Sequence, residues 1–254
     1  MLSLRLHPEW VFIMDKKEDL KAAGNVADLD RHAVRSVARD CAFILFNFFV
    51  LLASAGRVWW VNAWVITGLA LLFQATSAAV LAKLNPGLLS KRGKMIHEGT
   101  KNFDKVFIAL YIPISLSTSI VAGLDAGRFG WSRVPAGLMI FGVALFVATC
   151  AFGLWAMAVN AHFEMTVFVK EVGHEVCGSG PYKVVRHPAY AGTIIGAPSY
   201  PLILGSWWAL VPTAVYIVLF IIRTALEDGV LRRELPGYKE YANSTRYRLM
   251  PFIW

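Results

Sequence analysis

The chain has 254 residues, is 57% hydrophobic and carries a formal net charge of +8, with a mean hydropathy of +0.53. Its apolar residues come in several long blocks, each close to the ~20 residues that cross ~30 Å of hydrocarbon as a helix, more than a soluble domain of this size can bury. The charge does not point to nucleic acid: if six spans are drawn, all 25 Lys and Arg except Arg57, Arg128 and Arg133 fall on one side, as in cytoplasmic loops facing anionic membrane lipids.

In chain order, residues 1–40 read as a cytoplasmic extension. No apolar core follows the early charges and Asp15 to Glu18 is strongly polar, so no cleavable signal is expected. Residues 28–40, with Asp28 or Asp30 as N-cap and His32, Arg35 and Arg39 interspersed, predict a surface helix leading into the first span. Residues 41–254 form one transmembrane domain, with apolar blocks at 41–56, 58–82, 106–123, 134–158, 191–204 and 207–225. Gly205-Ser206 joins the last two, and Pro198 and Pro201 interrupt the first of them. They are either two spans or one long span with a re-entrant half-hairpin. The expected fold is an all-α, polytopic helical bundle with five or six transmembrane helices and both termini cytoplasmic, in a prokaryotic plasma membrane. Trp59, Trp60, Trp207 and Trp208 fall at span ends, where indoles anchor at the interface. Cys41, Cys150 and Cys177 share no metal or redox spacing, and His162, Glu164, His174 and His187 fit no common metal site.

The segment from Gly180 to Gly192, GPYKVVRHPAYAG, is the most informative in the chain. It is too polar to span a bilayer and too rich in rings and turn residues for an ordinary loop. An outgoing and returning hairpin over 191–225 brings Arg186 and His187 beside Arg223 and Glu227 at one membrane face. Arg223 and Glu227, four apart, share a helix face and can pair there. Ionisable residues this close to hydrocarbon are costly unless paired or wet, which marks a functional cluster.

These residues resemble the isoprenylcysteine carboxyl methyltransferases and their bacterial relatives, and more distantly the phospholipid N-methyltransferases. The resemblance runs through His174, Gly180-Pro181-Tyr182, Arg186 to Gly192, Glu227-Asp228 with Leu231, Leu235 to Tyr241, and Arg246 to Pro251. Upstream, Asn85 to Leu89, Lys91-Arg92-Gly93, Gly99 to Lys101, Asp104, Trp155-Ala156-Met157 and Asn160 look like the bacterial members. About residues 80–254 are covered. The resemblance implies methyl transfer from S-adenosyl-L-methionine at the cytoplasmic face, with the cofactor held by residues 155–254 and a lipid-like or amphipathic small-molecule substrate entering between helices. Carried onto this chain, His174, Gly180, Tyr182, Arg186, His187, Pro188, Tyr190 and Glu227 are the expected cofactor-binding residues; the residue chemistry, separately, makes Arg223 and Glu227 the expected catalytic residues. Two departures stand out. Asp228 replaces the usual second glutamate, and Gly229 stands where bacterial relatives often carry arginine, so Glu227 is assigned to the site and the role of Asp228 stays open.

The residue chemistry suits this reading. Aromatic faces such as Tyr182 or Tyr190 stabilise a cation by ~0.5–2 kcal/mol; Glu227 can hold a ribose hydroxyl or an amino group, and Arg186 a carboxylate tail. No Gly-rich nucleotide loop follows a strand, so the cofactor is held in a non-Rossmann way. A carboxylate acceptor is already ionised and Arg223 can position it; an amine must lose a proton, with His187 or Glu227 as base. The acceptor and the oligomeric state stay open at this level. So do a membrane NADPH-dependent reductase of the sterol-reductase type and a non-catalytic lipid-binding scaffold. Asn160 and His162 read as helix-end residues, and Tyr238, Tyr241 and residues 246–254 as a tail packed beneath the bundle.

Overall fold

The computed structural model describes residues 26–84, 100–160, 163, 166 and 175–254. Expectations for the first 25 residues, for 85–99 and for His162, Glu164 and His174 lie outside the described residues. The described chain forms helices α1 (Val26–Ala55), α2 (Val61–Leu84), α3 (Asn102–Ala122), α4 (Ala136–Val159), α5 (Pro188–Gly196), α6 (Ser199–Leu204), α7 (Leu210–Glu234) and α8 (Tyr238–Ser244). Only an isolated backbone bridge between Val185 and Tyr247 departs from this all-helical pattern among the described residues.

Five helices are long and apolar enough to cross a membrane: α1 from Arg31, α2, α3 with its continuation to Phe129, α4 and α7. The expected surface helix and first span are one continuous helix. It already begins at Val26, so Asp28 and Asp30 lie inside it rather than at its N-cap. Its 30 residues make it about 45 Å long, more than the hydrocarbon thickness, so its polar first turns reach beyond the core. Beyond α3 the chain widens into a π-helical stretch, Gly123–Phe129. A Cβ on Gly127 would lie 2.5 Å from the Ala55 Cβ, so glycine is what lets this stretch close on the end of α1.

The pair α5–α6 forms a broken arm that runs between the two faces of the bundle. Pro188 opens α5, where the missing N–H costs nothing. The helix stops before Pro198, restarts at Ser199, and ends at Gly205, which turns left-handed at φ 79°. The tip of this hairpin reaches the loops at the far face. Ser206 Oγ donates to Asp125 at 2.5 Å, Trp207 N–H to Ser132 Oγ at 3.0 Å, and Asn62 Nδ2 to the Ile203 carbonyl at 2.9 Å. Asp125, fully buried, also accepts from the Ser132 backbone and hydroxyl. One carboxylate thus ties the α3–α4 connection to the hairpin, as buried charge requires.

A core cluster beneath this face gathers Leu51, Ala55, Trp60, Ala63, Ile66, Ala122, Ile203, Leu204 and Ala209. Trp60 belongs to it at 6% exposure, whereas Trp59 is 89% exposed. The expectation that all four tryptophans are interfacial anchors is therefore corrected at Trp60. The Arg57 guanidinium caps its ring at 5.5 Å, joining an apolar body to a polar rim. Elsewhere large apolar side chains such as Phe49, Leu72, Ile140 and Val211 are exposed on the bundle surface, as suits lipid contact.

Candidate active site

The hairpin returns the chain to the face where α5 began, and the C-terminal tail closes over it. Backbone N–H groups of Arg186 and His187 donate to the carbonyls of Tyr247 and Arg248, each at 2.9 Å. These four residues form a short extended clasp. It holds the turn before Pro188 in register with the tail.

Asp228 is the hub of the cluster and is wholly buried. Arg186 grips it in a two-pronged fashion, Nε to Oδ1 at 2.7 Å and Nη2 to Oδ2 at 3.2 Å. The third prong, Arg186 Nη1, donates to the carbonyls of Thr245 and Arg246. Arg248 Nε (2.9 Å), Arg232 Nε (3.1 Å) and Tyr238 Oη (3.0 Å) donate to the same carboxylate, and His187 Nε2 lies 3.5 Å from its Oδ1. A carboxylate with this many charge-assisted donors stays ionised and locks four segments together. The shorter aspartate is therefore no weakening of the site.

Glu227, one residue earlier on α7, is carried by the helix twist into a different environment. It accepts from Tyr190 Oη at 2.7 Å and lies 3.7 Å from His187 Nδ1. The His187 and Tyr190 rings stack, 5.8 Å between centroids and 3° from parallel. With Asn160, Cys177, Tyr182 and Tyr241 they surround a cavity of about 100 Å³. Asn160 Nδ2 donates to Tyr182 Oη at 3.1 Å, and Tyr241 Oη to the Tyr182 carbonyl at 2.7 Å. Burial holds the Tyr182 and Tyr241 phenols above their ordinary pKa, so both present neutral, protonated rings.

Arg223 faces a second, larger space of about 580 Å³ between α1, α2, α3, α4, α5, α6 and α7. Its guanidinium lies over the rings of Phe107 at 4.3 Å and Tyr190 at 5.2 Å. It donates to Asp104, Nε at 3.1 Å and Nη2 at 3.0 Å. Besides its electrostatic interaction with Glu227, four residues on, Arg223 takes a longer-range partner in Asp104, while Glu227 accepts from Tyr190. A buried guanidinium wedged between rings is best compensated by a fully buried carboxylate on the facing helix.

Of the residues expected at the site, Tyr182, Arg186, His187, Tyr190 and Glu227 line the smaller cavity. Gly180 (φ 54°) and Pro188 shape its entry without lining it. Arg186 lines the cavity but spends its bonds on Asp228 and the tail. Asn160, Tyr238 and Tyr241, read as end and tail residues, line the same cavity. The aromatic spacing of the tail was the available signal for the last two. The two cavities share a wall made by Ala189 and Tyr190, with Phe163.

Residues 138–236, from α4 through α7, match the family model of phospholipid methyltransferase. The matched stretch spans less than half of the chain. It contains Tyr182, Arg186, His187, Tyr190, Arg223, Glu227 and Asp228, and it supports a membrane methyltransferase acting on lipid-like substrates; a membrane reductase is not favoured. A solved structure, the eukaryotic intramembrane Ras methyltransferase ICMT (isoprenylcysteine carboxyl methyltransferase), is 16% identical to the chain, covers 84% of it and 75% of its own length, and has a TM-score of 0.49. No curated protein matches the chain.

Proposed function

We propose that the smaller cavity holds S-adenosyl-L-methionine and the larger one a lipid-like acceptor, with the methyl group passing across the wall at Tyr190. The observation that carries this reading is the shared wall: a polar, aromatic cavity and an apolar one meet at Ala189 and Tyr190. The residues of the smaller cavity fit the cofactor. Glu227 is a carboxylate for its hydroxyl or ammonium groups, and the faces of Tyr182, His187 and Tyr190 suit a sulfonium cation. When bound, the cofactor supplies an electrophilic methyl group. Arg186 acts as a positioning residue, holding the turn that carries His187 and Tyr190.

Alignment of the two partners and exclusion of water are the protein's main contributions, and orientation of this sort is worth on the order of 7–11 kcal/mol. Arg223 lines the larger cavity beside Tyr190 and favours an anionic acceptor group such as a carboxylate. An amine acceptor is the second reading. It rests on Glu227 and His187, which lie 3.7 Å apart within reach of a proton at the wall. The basic-residue asymmetry puts the site and both termini on the cytoplasmic side of a plasma membrane. In this reading residues 41–254 are the catalytic domain and residues 1–40 an extension.

Calorimetric titration of the detergent-purified protein with S-adenosylhomocysteine tests the cofactor. Micromolar binding that is lost in Glu227→Ala and His187→Ala, with both variants still folded, is expected. Binding of NADPH in its place would sink the reading. Incubation with labelled S-adenosylmethionine and lipid extract then separates the acceptors, because a methyl ester is released by mild alkali and an N-methyl group is not.

A further inference from the structure

The larger cavity is not uniformly apolar. Part-way across the membrane, Asn47 of α1 and Tyr200 of α6 line it, and Ser119 of α3 lies fully buried between them. Ser119 Oγ donates to Asn47 Oδ1, and Tyr200 Oη is 2.7 Å from Ser119 Oγ. The serine has one proton. With that proton on Asn47, the tyrosine must be the donor to the serine. The chain therefore ends on the Asn47 amide, whose two N–H groups have no partner among the described residues.

Five other hydroxyls lining this cavity, though not those of Thr67 and Ser199, behave differently. Ser115, Thr118, Thr149, Thr193 and Thr213 each turn onto a carbonyl of their own helix. Those side chains are satisfied and present little to a ligand. Asn47 is held by a second helix and, through it, a third, with its donors unspent in a space bounded by apolar walls. An unspent amide there is costly unless something accepts from it.

The distance to the reacting end follows from the helices. Phe107, under Arg223, and Ser119 are twelve residues apart on α3, about 18 Å at the helical rise. Tyr190 and Tyr200 are ten apart along the α5–α6 arm, about 15 Å by the same measure. Resting on the methyltransferase reading above, we propose that the acceptor is a long-chain amphiphile with a hydrogen-bond-accepting oxygen roughly 15–18 Å from its reacting head, received by the Asn47 amide. A mid-chain hydroxyl, keto or ether oxygen meets this requirement. An all-hydrocarbon prenyl or acyl tail leaves the amide unpaired and is the poorer substrate.

The test uses full-length detergent-purified protein and displacement of a fluorescent polyene fatty acid by three probes: octadecanoate, 2-hydroxyoctadecanoate and 12-hydroxyoctadecanoate. The 12-hydroxy probe is expected to displace at about three- to tenfold lower concentration than the other two, the worth of one net hydrogen bond. Asn47→Leu should abolish that preference, with octadecanoate displacing at the same or a lower concentration than in the wild type. Tyr200→Phe, which frees Ser119 but leaves Asn47 anchored, should retain most of it. Equal displacement by all three probes in the wild type overturns the inference and leaves the three residues as interhelical glue. So does a preference that survives Asn47→Leu. S-adenosylhomocysteine binding is measured on the same samples. Its absence from the wild type, with the hydroxyl preference intact, faults the methyltransferase reading and not the cavity assignment.

Discussion

Adjacent carboxylates on α7 have separate duties. Asp228 is closed off by Arg186, Arg232, Arg248 and Tyr238, whereas Glu227 lines the cavity and receives Tyr190. Removing each should therefore fail differently. Asp228→Ala leaves three guanidiniums without their shared partner and is expected to cost roughly 3–5 kcal/mol, read as a large drop in the thermal unfolding midpoint in detergent. Glu227→Gln should unfold within a few degrees of the wild type yet bind S-adenosylhomocysteine at least tenfold more weakly. If the two variants lose stability equally, the division of labour is wrong. Glu227 was legible in the sequence because a carboxylate at the end of an apolar helix is costly. The primacy of Asp228 was not, because its partners Arg186 and Arg248 come from segments far from it in sequence.

Among elements, the hairpin α5–α6 and the tail do the positioning. Proline and glycine in 188–205 made the hairpin legible, and its end-to-end geometry correctly brought Arg186 and His187 to Glu227. Its far end could not be read. Asp125 sits in an apolar stretch with only local hints of partners, and Ser206 and Trp208 reach it across the bundle. Asp125→Ala strands two serine hydroxyls and should destabilise by about 2 kcal/mol, with cofactor binding kept because the site lies at the other face; coupled loss of binding would show that the tip steers the site. At the near face, truncation after Ser244 removes the carbonyls of Thr245, Arg246, Tyr247 and Arg248 that hold Arg186 and His187. That truncation is expected to abolish S-adenosylhomocysteine binding and to speed proteolysis within 180–190. Unchanged binding would reduce the tail to a cover.

Across the whole molecule, five candidate spans among the described residues and the broken α5–α6 arm run between two faces. They place residues 57 and 131 on one side and 183 and 239 on the other. In a variant with Cys41, Cys150 and Cys177 replaced, single cysteines at Arg57 or Trp131 should react with a membrane-impermeant maleimide from outside sealed cells. Cysteines at Lys183 or Lys239 should react only after permeabilisation. Labelling of the Lys239 position from outside, with the Lys183 position still protected, would remove the crossing by α5–α6. The sequence by itself determined the class, the number of apolar spans to within one, the charged face, and Tyr182, Arg186, His187, Tyr190 and Glu227 among the residues lining the smaller cavity. Those follow from composition and short-range periodicity, because a helix in hydrocarbon must satisfy its own backbone and advertise its length. Only the tertiary structure decided the pairing of Arg223 with Asp104, the hub at Asp228, the burial of Trp60 and the meeting of two cavities at Tyr190. These are contacts between segments far apart in the chain. A buried charge accepts whichever partner the packed helices bring within reach, and no local pattern states which that is.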